Sequence, residues 1–135
     1  MKKRIGDVLT AKINMDLIGE ISSLGFDIKF DSEYLEFVDL TKNGLFDMEI
    51  VKQSEGDSTI INAGLVESDE YIRDTTVDLF QARFKCLKSG NTQIVFLPEN
   101  REVLKDSTPA NIEQEWLDGF IEISGDRIIL SIVIE

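Results

Sequence analysis

Apolar side chains recur at every second position through most of the first hundred residues. That period of two, rather than 3.6, restricts the chain to strands with one dry face. Leu9, Ala11, Ile13 and Met15 form the first such set, with Thr10, Lys12 and Asn14 between them. Leu24, Phe26, Ile28 and Phe30 form the second, and the opposite face reads Ser23, Gly25, Asp27 and Lys29, small or polar throughout. The polar cluster Asp31-Ser32-Glu33 leads into a third run over residues 34–40, and Lys42-Asn43-Gly44 supplies the next break. Residues 46–52 are a fourth expected strand. Ser54-Glu55-Gly56-Asp57 is turn chemistry, and residues 59–66 beyond it place Asn62 and Gly64 on one face with Ile61, Ala63 and Leu65 on the other, which predicts a hairpin.

After the acidic loop Glu67-Ser68-Asp69-Glu70, residues 77–87 alternate again, with Phe80, Ala82, Phe84 and Cys86 on one face. Ser89-Gly90-Asn91 turns the chain into a strand over residues 92–97, and residues 120–124 make the last clear strand. Short strands joined by turn residues predict an all-β antiparallel sandwich rather than a βαβ fold. One stretch departs from the pattern: Thr108 has the chemistry of an N-cap, Pro109 suits the first helical position, and Ile112 and Trp116 are four apart. They predict a short helical turn over residues 109–117.

The chain ends on Ile128, Ile129, Leu130, Ile132, Val133 and Ile134, apolar on both faces and too short to span a bilayer. The expected organisation is therefore a sandwich over residues 5–125. Residues 126–135 are an extra apolar strand, covered or paired with another copy, or the start of a following segment. No apolar h-region follows the basic Met1-Lys2-Lys3-Arg4, so no signal peptide is visible.

Composition narrows the chemistry. At 135 residues one core is large enough to need neither disulfide nor metal staples. The formal net charge of −12 repels phosphate backbones and anionic headgroups, which argues against nucleic acid and against a membrane surface as partners. The absence of histidine removes the Ser-His-Asp triads and most zinc and copper sites. Cys86 shares its face with Phe84 and Ala82 and is read as core. No phosphate-binding glycine loop or Cys/His cluster is present, so no enzyme and no cofactor are expected. Glu67, Asp69 and Glu70 could offer oxygens to calcium, but they lack the spacing of an EF-hand loop, and a solvated acidic loop is favoured.

The order of these segments resembles a cohesin domain, the receptor module of cellulosome scaffoldins and related cell-surface proteins. The resemblance is carried by residues 6–14, by Leu24-Gly25-Phe26-Asp27-Ile28-Lys29-Phe30-Asp31 running into Tyr34-Leu35-Glu36-Phe37-Val38, by residues 79–88 followed by Ser89-Gly90-Asn91-Thr92, and by Asp118-Gly119-Phe120-Ile121-Glu122-Ile123. Phe30 stands where the family usually has Tyr, and Ser32 where it has Pro. The resemblance implies a jelly-roll sandwich of about nine strands, a fold shared with carbohydrate-binding modules. It also implies non-catalytic recognition of a dockerin, a helical module that carries its own calcium, in an extracellular or cell-surface assembly for polysaccharide degradation. Family contact positions carry over to Ser23, Gly25 and Asp27 of the second set, Asn62 and Gly64 of the hairpin, and Glu67 in the loop beyond.

Two other classes stay open on the residues. Direct polysaccharide binding would need rings from Trp116, Tyr34 and Tyr71 assembled by loops. A structural domain would self-associate as a homodimer through residues 127–135.

Overall fold

The computed structural model describes residues 1–43, 47–65, 71–126, 128 and 130–134. Its strands are β1 (Lys2–Arg4), β2 (Val8–Ile21), β3 (Ser23–Asp31), β4 (Leu35–Lys42), β5 (Met48–Glu55), β6 (Ser58–Leu65), β7 (Ile72–Cys86), β8 (Gly90–Phe96), β9 (Glu102–Lys105), β10 (Thr108–Pro109) and β11 (Gly119–Ser124). The larger sheet runs β1-β11-β8-β3-β6-β5, with β9 pairing to β3 beyond the end of β8 and β10 pairing to β9. The smaller sheet runs β2-β7-β4. All pairings are antiparallel except β1 with β11. The sandwich expected from the alternation is thus present, with β1, β9 and β10 added as short strands that carry too few residues to show a period.

The two sheets close on the apolar faces of β3 and β7. Leu24, Phe26, Ile28 and Phe30 are buried from one side, and Phe80, Ala82, Phe84 and Cys86 from the other. Phe26 and Phe80 stack with centroids 6.2 Å apart, and Phe30 meets Phe84 edge-on at 4.8 Å. These rings span the gap between sheets and fix which face of each strand is dry. Residues 56–57 close the β5–β6 hairpin as a two-residue loop between the paired Glu55 and Ser58, with Gly56 at φ +59.

Residues 109–117 correct the expectation of a helical turn: no helix occurs among the described residues. Asp106 and Ser107 both take positive φ, 54 and 65, and close a second two-residue hairpin between Lys105 and Thr108. The Thr108 hydroxyl donates back to the Lys105 carbonyl at 2.9 Å, so it serves this turn instead of capping a helix. Beyond Pro109 the chain runs on to β11 without regular structure, held at its start by Ala110 N–H on the Val103 carbonyl. Trp116 sits edge-on to Phe26 at 5.8 Å and to Phe96 at 5.2 Å. Packing of that half-buried ring against the core outweighs the local helix signals. After Ser124 the described residues form no strand, and their apolar side chains are exposed.

Candidate functional site

The outer face of the larger sheet gathers five of the six residues expected at the site. β3 and β6 pair without a register break, setting Gly25 opposite Gly64 and Asp27 opposite Asn62. The two glycines lie side by side near the start of β3 and the end of β6. Neither takes a positive φ, and the unbroken ladder leaves no bulge or bend to account for them. A Cβ on Gly64 would meet nothing within 4 Å, and one on Gly25 would make ordinary contacts with Glu102 and the Ala63 carbonyl at 3.8–3.9 Å. The fold itself therefore does not require glycine at either position. What the pair creates is a shallow floor of bare backbone, open to close approach from outside.

Asp27 points to the same side but is only 7% exposed. The loop from β8 to β9 passes over it. Leu97 N–H donates to the Asp27 carbonyl at 2.9 Å, and Asn100, at φ +62, brings its side-chain amide to Oδ2 at 3.0 Å. Asn62 Nδ2 donates to Oδ1 at 2.6 Å. Both carboxylate oxygens are thus engaged within the molecule. Asp27 orients two exposed-side amides, and Asn62, which is exposed, presents the polar surface that the sequence assigned to the acid. Arg101 fixes the covering loop, donating from Nε to the Leu97 carbonyl at 2.9 Å and from Nη2 to the Phe96 carbonyl at 3.0 Å.

Strand register supplies the surroundings. Glu49 of β5 lies beside Gly64, Glu102 of β9 beside Gly25, and Val51 beside Asn62. Val51 is exposed and Ile60 half-buried, so a small apolar centre is bordered by carboxylates, with Lys29 the basic side chain among the β3 residues. That composition suits a partner with an apolar contact stripe and basic groups around it. Ser23 stands at the β9 side, opposite Leu104. Glu67, Asp69 and Glu70 fall outside the described residues, as does Phe46. Among the described residues no group of three or more Asp, Glu or Cys side chains could hold a metal ion.

The other candidate chemistries are placed elsewhere. Cys86 is buried, and loss of solvent pushes its thiol above the usual range, with the Asp7 charge adding to the shift. Trp116 is packed on the core with the Arg101 guanidinium 4.8 Å from its ring centre. Tyr34 packs against the core beneath Lys88, and Tyr71 hydrogen-bonds Asp106 with Arg73 and Lys105 near its ring. Each of the three rings is tied to its own neighbours instead of joining the others in a platform.

The family model described as "Cohesin domain" matches residues 1–123. The chain belongs to the cohesin family. A search of curated proteins finds no match. Among solved structures, a cohesin of Clostridium thermocellum in a complex called a novel type I cohesin–dockerin complex superposes with a TM-score of 0.72 at 18% identity, over 91% of this chain and 93% of that one. The third ScaC cohesin of Acetivibrio cellulolyticus, solved with the ScaB dockerin, gives 0.73 at 16% identity over 90% and 92%. A non-cellulosomal cohesin from the archaeon Archaeoglobus fulgidus gives 0.69 at 15% identity over 91% and 85%. At these identities the likeness is one of fold.

In this cohesin the sequence reading anticipated β3, β5, β6 and β8, and set Gly25 and Gly64 on the same side of their strands. It missed Asn100, Glu49, Glu102 and Val51, which reach the face only through strand order and the crossing loop. The one local signal was Asn100 itself, a residue type suited to the left-handed turn after Pro98-Glu99.

Proposed function

We propose that this cohesin is a non-catalytic recognition module that holds a dockerin-type, calcium-loaded helical module against the outer face of β8-β3-β6-β5. The observation that carries the reading is the in-register pair Gly25–Gly64, which neither backbone conformation nor internal packing demands. A helix can lie close against that floor, with Ser23 and Asn62 offering hydrogen bonds and Asp27 holding Asn62 in place. Glu49, Glu102 and, from the loop after β6, Glu67 meet basic groups at the rim. Calcium belongs to the partner, and the partner's attachment builds a secreted or cell-surface complex, including assemblies that degrade polysaccharide.

The test is capture of extracellular proteins of the source organism on the immobilised domain, in calcium and then in chelator, with eluted chains identified by mass spectrometry. Calcium-dependent retention of a chain with duplicated EF-hand-like loops is the expected result. Retention that ignores the chelator, or a folded domain that retains no such chain, overturns the proposal.

A further inference from the structure

One cation on the outer face of the larger sheet has no counterpart there. Lys29 lies on β3 where that strand is paired on both sides, with Ile60 of β6 and Val95 of β8 as its cross-strand neighbours and Gln53 of β5 beyond Ile60. Ile60 and Val95 are half-buried, and so is Lys29. Its aliphatic stem completes an apolar row with the two branched side chains, and the stem's length carries the ammonium to the outer side.

That ammonium has no anion of its own. The ion pairs of the described residues use Arg4, Arg73, Arg83, Lys88 and Lys105, and none uses Lys29. The carboxylates on the same side of β3 are committed elsewhere. Asn62 and Asn100 engage both oxygens of Asp27, and Asp31 Oδ1 accepts from the Glu33 N–H at 2.9 Å. Stability does not account for the lysine, because it forms no ion pair, and an apolar side chain would fill the row without a charge to keep hydrated.

A partner lying on this face covers the ammonium. Stripping its water without supplying an anion leaves an uncompensated charge in the interface, whereas a carboxylate converts the same charge into a charge-assisted hydrogen bond. Lys29 is four residues from Gly25, roughly 13 Å along the strand. A helix seated on the glycine floor and running along β3 covers that distance in about two and a half turns.

We infer that the bound module places an Asp or Glu side chain on Lys29, so that its contact surface carries one acidic group among the basic ones that face Glu49 and Glu102. This pairing rests on the docking function proposed above and adds the charge pattern by which the partner is selected. A module basic throughout would set like charge on Lys29 and be rejected.

The probe is the calcium-dependent chain retained by the immobilised domain, purified and titrated by calorimetry into the full chain and its variants. Lys29→Met keeps the length of the stem and removes the charge. It is expected to weaken binding at least tenfold while the urea midpoint holds or rises, and Lys29→Arg, which keeps the charge, is expected to retain most of the affinity. Carbodiimide coupling of the wild-type complex should join Lys29 Nζ to a partner Asp or Glu as an amide, with loss of water, read by mass spectrometry of the linked peptides. Unchanged affinity in Lys29→Met overturns the pairing and leaves docking intact. So does an equal loss in Lys29→Arg, or a complex whose coupled peptides never include Lys29. A folded domain that retains no such chain overturns the docking function and the pairing with it.

Discussion

Removing the Asp27 carboxylate would leave two amide donors, from Asn62 and Asn100, without the acceptor both now share. Asp27 is 7% exposed, but Asn62 and Asn100 are exposed and water can take over part of their bonding, so the loss is the net worth of the hydrogen bonds, about 1–3 kcal/mol for the pair. Asp27→Ala is therefore expected to lower the free energy of unfolding by about that amount, read from urea denaturation. Asn100→Ala should cost less, because Asp27 keeps Asn62. Partner affinity should fall in Asp27→Ala as Asn62 loses its orientation. An unchanged denaturation midpoint in Asp27→Ala would mean that the carboxylate is solvated in solution and that the covering loop does not hold it. The residue also marks the limit of alternation as a guide: period two gives the side to which Asp27 points, while its burial depends on a loop about seventy residues away in sequence.

The β3–β6 ladder separates two kinds of glycine. Gly90, at the start of β8, has φ +136, and a Cβ there would fall 2.9 Å from the Tyr34 ring, so Gly90→Ala strains the fold. Gly64 has open space above it and ordinary extended backbone. Gly64→Arg is expected to leave the thermal midpoint unchanged or slightly raised while weakening dockerin binding at least tenfold by calorimetry. Equal affinity in the folded variant would remove the glycine floor from the docking site. The same contrast explains what could be read from the chain. β3, β6 and the second half of β7 were legible because one face of each is buried and the turns between them use glycine and polar residues in a recognisable way. β1, β9 and β10 were not, because two to four residues show no period and depend on a neighbour for their pairing. Residues 109–117 misled because Thr-Pro after a polar turn serves a hairpin as well as a helix start, and packing of Trp116 against the core decided between them.

The whole molecule is strongly acidic, and carboxylates border the face where the proposed partner would arrive. The net charge is −12; on the strands nearest the glycine pair Asp31, Glu49, Glu55 and Glu102 stand with Lys29, while Lys2, Lys3, Arg4, Lys52 and Lys105 belong to the same sheet. Carboxylates spread over one sheet act together at long range, drawing in a basic partner and orienting it before contact. They contribute less once the complex has formed, because rim ions are screened and only partly desolvated. The two effects part under salt. The Debye length shortens from about 30 Å at about 0.01 M ionic strength to about 3 Å at about 1 M, so steering is lost while short-range packing on the glycine floor remains. Stopped-flow association with the captured dockerin should slow by at least tenfold across that range, with the dissociation rate changing little. If instead the association rate stayed flat and dissociation quickened, the carboxylates would be acting as contacts, and the acidic rim would belong to the bound interface and not to the approach.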